Sequence, residues 1–271
     1  MTTKTWFITG TSKGFGRIWA EAALERGDRV AATARDLGTL APLAERYGDA
    51  FLPIGLDVTD READFAAVAR AKERFGRIDV AINNAGYGHF GTIEETSEAE
   101  ARAQIETNVF GALWVTQAVI PVMREQGSGH ILQVSSIGGI SAFPMLGIYN
   151  ASKWALEAFS QALAGEVAGF GIRVTIIEPG AYGTDWSGPS ATHSAPLPQY
   201  DFLREARASR PTAQMDPAAT AQAILAVVDA EEPPLRLFLG KAPFAIMEAD
   251  YESRRRTWEA WRTVSEAAAG A

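Results

Sequence analysis

Two rhythms of apolar residues alternate along the first half of the chain. "TWFIT" is a short, β-prone apolar run that stops at Gly10. "GRIWAEAALERG" follows with apolar residues at helical spacing and stops at Gly27. The pattern then repeats. "RVAATAR" reads as a strand, "LGTLAPLAERYG" as a helix, and "AFLPIGLDVT" as a third strand and its exit. "READFAAVARAKERFG" is an amphipathic helix, and "IDVAINNAG" a fourth strand and its exit. Strands separated by helices predict βαβ units, hence a parallel sheet. The strands are apolar throughout rather than at every second position, which fits a sheet covered on both faces.

The second half keeps this rhythm and then loses it. Residues 98–125 predict one long helix, ended or kinked at Pro121. "GHILQVSS" is a strand, 149–169 a helix and "GIRVTIIEPG" a strand. Residues 181–212 are rich in Gly, Pro, Ser and aromatics, and a loop of that length is expected to be functional, as a lid. "DPAATAQAILAVVDA" is a helix opened by an N-cap Asp and an N1 Pro. "LRLFLG" is a last strand, and 244–266 a charged final helix. With no repeat and no linker, the chain is expected to form one domain over 1–271, with a helical extension from about 242.

Composition removes several function classes. Apolar residues make up 47% and charged residues 21% of the 271, as in ordinary globular proteins. A formal charge of −8 argues against a nucleic-acid footprint. "RRR" at 254–256 has Glu252 and Glu259 around it, so it reads as a solvated helix face. The absence of cysteine excludes disulfides and thiolate chemistry. His89, His130 and His193 do not make a metal set, so no metal is expected. No signal peptide or membrane span is seen, and a cytoplasmic location is expected.

The first strand-to-helix turn carries chemistry. "TGTSKGFG" puts Gly10, Gly14 and Gly16 where backbone can approach a pyrophosphate at a helix N-terminus. The end of the next strand selects the dinucleotide. An NAD site wants a carboxylate there and an NADP site wants cations. Ala34 stands at that position, Arg35 follows, and Lys13 adds a charge to the same corner, although Asp36 is adjacent. NADP(H) is therefore expected over NAD(H).

"YNASK" places Tyr149 and Lys153 four apart, on one face of a helix. A nearby ammonium favours a phenolate. Together "TGTSKGFG", "NNAG" (83–86), "VSSIGG" (134–139), "YNASK" and "PGAYGT" (179–184) resemble the short-chain dehydrogenase/reductase family, in its smaller single-domain branch. The resemblance runs through motifs from about residue 4 to 184, and through the element pattern to about 240. It implies a Rossmann-type doubly wound sheet of about seven strands. It implies Tyr149 as acid or base, Lys153 on the nicotinamide ribose and lowering the tyrosine pKa, Ser136 on the substrate oxygen, and Asn108 organising a water behind Lys153. It also implies a cofactor site. Gly10, Thr11, Ser12, Lys13, Gly14, Phe15 and Gly16 form its loop, and Arg35 its cation. Asp57 and Val58 would meet the adenine, Asn84, Ala85 and Gly86 the wall beside its ribose, and Pro179, Gly180 and Thr184 the nicotinamide.

The expected reaction is hydride transfer between NADP(H) and a carbonyl or secondary alcohol. The segment after Ser136 and the lid are apolar, with Phe143, Met145 and Trp186 among them, which favours a hydrophobic ketone. His89 follows "NNAGYG" and is a further substrate-side candidate. A small-molecule substrate is thus the expected partner, and the resemblance implies a homodimer or homotetramer. Two other readings share the scaffold: a non-catalytic NADP(H) sensor, and an epimerase or lyase.

Overall fold

The computed structural model, which describes residues 3–188, 190–209 and 213–270, has nine strands and ten α-helices among them; seven of the strands follow the expected order, and short strands at His89–Phe90 and Thr192–His193 are additional. The strands are β1 (Thr5–Ile8), β2 (Arg29–Ala34), β3 (Phe51–Gly55), β4 (Val80–Asn83), β5 (His89–Phe90), β6 (Gly129–Val134), β7 (Ile172–Pro179), β8 (Thr192–His193) and β9 (Arg236–Leu239). The helices are α1 (Gly14–Glu25), α2 (Ala41–Tyr47), α3 (Arg61–Phe75), α4 (Glu98–Ile105), α5 (Ala112–Gln126), α6 (Gly147–Val167), α7 (Asp201–Ala208), α8 (Thr220–Asp229), α9 (Ala242–Ala260) and α10 (Arg262–Ala267).

Seven strands pair in parallel in the order β3-β2-β1-β4-β6-β7-β9. The strand order reverses between β1 and β4, and open α/β sheets bind ligands at that switch point, beyond the carboxyl ends of the strands. One face of the sheet packs Trp6, Ile8, Leu132 and Ile177 with Trp19 and Ile224 of α1 and α8. The other packs Phe7, Ala81, Ile131 and Val174 with Val68, Val119 and Leu163 of α3, α5 and α6. Two covered faces explain why strands such as β1 and β4 are buried at every position.

Three segments differ from the sequence expectation. The helix over 98–125 does not end at Pro121, which lies inside α5; α geometry is interrupted instead by a π-turn over Glu106–Gly111, which contains Asn108. Such turns are inserted locally and have no strong sequence signal. The 181–212 segment is also more ordered than a plain loop. It contains β8, which pairs with β5, and the short helix α7. Pro189 and residues 210–212 of that segment lie outside the described residues. The final helix breaks at Trp261, where α9 gives way to α10.

Candidate active site

The glycine loop emerges from β1 and is braced from β4. Thr9 Oγ1 accepts from the backbone N–H of Asn84 and of Ala85, both at 3.0 Å. The Asn84 amide donates back to the carbonyls of Thr9 and Gly10, both at 2.9 Å. Thr11 donates its N–H and its hydroxyl to the Thr33 carbonyl of β2, each at 2.9 Å. Two glycines are required by this closeness. A Cβ on Gly10 would lie 2.8 Å from Ala85 Cα, and one on Gly16 2.5 Å from the Gly10 carbonyl oxygen. Thus Thr11 and Asn84 shape the loop from inside, and Phe15 turns away to stack on Trp19 at 5.1 Å.

Helix α1 starts on this loop with no side-chain cap and no acidic residue in its first turn. Its first N–H groups are therefore left for an outside anion. Ser12 is half-buried on the loop. Arg35 is exposed just beyond β2, and the Asp36 carboxylate is turned away to cap the Leu37–Leu40 turn through the Gly38 N–H. Lys13 forms an ion pair with Asp185 of the 181–212 segment at 2.8 Å. Asp57 accepts from the N–H and hydroxyl of Thr59, and Val58 is buried against Gly111. An uncapped helix start, a glycine cradle at the switch point and a free cation beyond β2 together fit a nicotinamide dinucleotide.

The four polar residues converge across the switch point from separate elements. Tyr149 and Lys153 are buried on α6, with the ammonium nitrogen 5.9 Å from the phenol ring centroid. Lys153 Nζ donates to the Val134 carbonyl at 2.8 Å. Ser136 Oγ accepts from the Gly138 N–H at 3.0 Å. A Cβ on Gly138 would stand 3.3 Å from both Ser136 Oγ and Tyr149 Cε1, and one on Gly86 would stand 3.0 Å from Asn108 Oδ1 and 3.7 Å from Lys153 Nζ. Asn108 is clamped: its amide donates to the Tyr87 carbonyl at 3.2 Å and to Ser152 Oγ at 3.0 Å, and its Oδ1 accepts from the Tyr87 N–H.

Burial dominates the electrostatics. It pushes the Tyr149 hydroxyl up to about 12, with a hydrogen bond from Ser136 opposing, and pushes the Lys153 ammonium down to about 8, with the Glu157 charge opposing. In the protein alone the phenol therefore stays protonated at neutral pH. The Lys153 charge does not offset this burial. Trp186 forms part of the apolar cover, with its ring 4.9 Å from that of Tyr149 and 5.4 Å from that of Phe90. Gly88 makes room for this indole: a Cβ there would come within 2.7 Å of it.

Phe143, Leu146 and Ala191 complete the apolar cluster around Tyr149. Met145 is held at φ 65, an unusual conformation for a bulky residue, and its carbonyl accepts from the Gly91 N–H at 2.9 Å. His89 does not face this cleft as a free group. It is buried, and its nitrogens engage Thr192 Oγ1 at 2.9 Å and Ser194 Oγ at 2.8 Å. At the end of β7, Pro179 is followed by Gly180, which bonds to Leu239, and Thr184 Oγ1 caps the turn carrying Trp186. Sequence reasoning did not single out Thr9, Asp185 or Glu157. Only Glu157 had a signal, being one turn beyond Lys153 on the same face.

A match over residues 4–194 to the family model described as short chain dehydrogenase covers the glycine loop, the cleft and all four polar residues. The chain belongs to the short-chain dehydrogenase family and is an oxidoreductase of that type. It is 42% identical over 273 residues to Oxidoreductase BOA17 of Botryotinia fuckeliana, covering 98% of this chain and 100% of that one. A short-chain dehydrogenase from Streptomyces avermitilis superposes with a TM-score of 0.92 at 41% identity, covering 98% of each chain. An alcohol dehydrogenase from Thermococcus sibiricus, solved with 5-hydroxy-NADP, superposes at 0.74 with 26% identity, covering 88% of this chain and 96% of that one. Among the described residues, no helix is long and apolar enough to cross a membrane.

Proposed function

We propose that this protein reduces a hydrophobic ketone with NADPH, and oxidises the matching alcohol in reverse. The observation that carries the reading is the buried Tyr149, beside Ser136 and in contact with an apolar cluster, one helical turn from Lys153. When bound, the dinucleotide supplies hydride to the carbonyl carbon. The loop Gly10–Gly16 and the start of α1 would hold its phosphates, Arg35 the ribose phosphate, Asp57 and Val58 the adenine, and Pro179, Gly180 and Thr184 the nicotinamide end.

The residues of the chain then divide the work. Ser136 spends a lone pair on the Gly138 N–H, so its hydroxyl proton, directed at Tyr149 in the free protein, can turn to the substrate oxygen when substrate binds. Tyr149 gives its proton to that oxygen as charge develops there. Lys153 keeps spare N–H groups beyond the one used on Val134, and these suit a ribose hydroxyl. Asn108 holds the Tyr87 backbone and Ser152, which fixes the π-turn against α6. Phe143, Met145 and Trp186 would line the substrate side, and their apolar surface suits a ketone better than a sugar.

The test is NADPH oxidation across a ketone panel, with NADH and two variants in parallel. Tyr149→Phe is expected to lower turnover at least ~100-fold, the usual contribution of a general acid, while NADPH binding persists. Arg35→Ala is expected to weaken NADPH relative to NADH by about tenfold, the loss of one charge-assisted contact. Near-normal turnover in Tyr149→Phe would sink the proton-donor assignment. An unchanged cofactor ratio in Arg35→Ala would sink the NADP assignment.

A further inference from the structure

One turn beyond Lys153, a second set of ionisable groups is buried behind the cleft. Glu157 lies on α6, Glu178 on β7 and Arg236 on β9. Both carboxyls are almost without solvent contact, at 6% and 0% of side-chain surface. Arg236 bonds to both, reaching Glu178 at 2.8 Å and Glu157 by a short contact, and its other nitrogen donates to Gln161 at 3.0 Å. Glu157 Oε1, Glu178 Oε2 and Ser135 Oγ have no hydrogen-bond partner among the described residues. Ser135 stands between Val134, whose carbonyl takes the Lys153 proton, and Ser136. The pocket closes tightly here, since a Cβ on Gly139 would come within 2.6 Å of Ser135 Oγ and 2.9 Å of Glu157 Cγ.

Two carboxyls that share one cation and one dry space cannot both ionise cheaply. Burial, complete at Glu178, pushes that carboxyl up to about 8, so Glu178 carries the proton at neutral pH. Glu157 keeps the charge against the Arg236 guanidinium, although burial raises it as well. A buried ammonium needs such a charge nearby, or it gives up its proton.

We propose that Glu157, held by Glu178 and Arg236, is the counter-charge that keeps the buried Lys153 in its ammonium form. Glu157 is thus a positioning residue that acts through Lys153 and touches neither substrate nor cofactor. The other charged or titratable groups around Lys153 do not supply this field. On its own helix, Tyr149 is neutral. On α4, Glu98 and Arg102 pair with each other at the surface. Glu106 stands at the start of the π-turn, two residues before Asn108. On the lid side, Asp185 is paired with Lys13, and His89 is tied to Thr192 and Ser194. On α9, Arg254 lies over Trp154 and pairs with Asp250. The end of β6 and the turn after it bring Val134, Ser135 and Ser136 here, none of them charged.

The inference rests on Lys153 belonging to the active site, but its test does not depend on turnover. The full chain, free of cofactor and substrate, is labelled with ¹³Cε-lysine, and the Lys153 signal is assigned with Lys153→Arg and titrated. The wild-type midpoint is expected near 8. Glu157→Gln is expected to lower it by about one unit, the effect of losing one nearby opposite charge. Glu178→Gln, which mimics the protonated partner, is expected to leave it within about 0.3 units. An unshifted midpoint in Glu157→Gln overturns the proposal, as does a larger shift in Glu178→Gln than in Glu157→Gln. If Glu157→Gln does not fold, the wild-type midpoint decides: above about 7.5 supports the counter-charge, and below it overturns it. Failure of the ketone reductase reading would show in the Tyr149→Phe turnover and leave this titration untouched.

Discussion

At the scale of single residues, Trp186 packs against Tyr149. Its indole lies 4.9 Å from the phenol ring, within the apolar cluster that buries it. A raised phenol is the consequence, because a dry site disfavours the phenolate. Trp186→Ala should admit water and lower the Tyr149 midpoint by about one unit or more. Tyrosinate absorbance, taken as a difference against Tyr149→Phe, measures it. An unchanged midpoint would mean that the rest of the apolar cluster, and not the indole, dries the site. The same variant should raise KM for a bulky ketone more than it changes kcat, since a substrate contact is lost and no proton donor.

At the scale of elements, the 181–208 segment is pinned to the body by a few polar contacts. Ser194 donates to Glu100 at 3.1 Å, so the His89 Nε2–H donates to Ser194, and His89 Nδ1 accepts from Thr192. The Glu95 carboxylate receives the Leu197 N–H and Arg204, both at 2.7 Å, and these bonds with Thr92 hold it down to about 2. Ser194→Ala would leave a buried imidazole donor without a partner, at a cost of about 1–3 kcal/mol. Faster amide exchange is expected in 190–208, with the sheet unchanged. Equal exchange in variant and wild type would show that β5–β8 pairing and Glu95 suffice.

How much of this was legible beforehand varies by element. The seven sheet strands were readable because each carries a cluster of apolar residues near glycine or a charge, even where polar residues interrupt it, as Gln133 does in β6 and Arg173 and Thr175 do in β7. The π-turn was not, because "ETNVFG" has ordinary helical composition and its distortion is imposed by Gly111 packing on Val58 and Asn108 bonding to Tyr87. Pro121 misled, because a proline in the second half of α5 costs one backbone bond that tertiary packing can offset. Trp258 and Trp261 sit at helical spacing, yet both are more than 60% exposed, so spacing alone did not decide burial.

At the scale of the whole molecule, the sheet interior sets a pH limit on stability. His130 is buried between β6 and β7, with Nε2 at 2.9 Å from Thr175 Oγ1. Thr175 spends its own proton on the Pro234 carbonyl, so the imidazole must donate through Nε2. Burial, with Arg173 and Lys4 adding to it, lowers His130 to about 4 from 6.5. The folded state therefore prefers the neutral ring. Its contribution is full above about pH 6.5 and is lost as pH falls through about 4, amounting to about 3 kcal/mol. Urea unfolding at pH 7, 5.5 and 4.5 should show this loss in wild type, and His130→Gln should flatten it. A slope unchanged by the substitution would assign the acid sensitivity to other groups.

The sequence by itself determined the order of strands and helices, the parallel sheet, the glycine loop and the pairing of Tyr149 with Lys153. Each follows from local spacing, apolar runs or a backbone requirement met within a few residues. Only the tertiary structure decided which side chains share a dry space. It placed Trp186 on Tyr149, tied Lys13 to Asp185, took His89 out of the cleft and set Glu178 and Arg236 behind Lys153. Desolvation depends on neighbours far apart in the chain, and spacing along one segment carries no information about them.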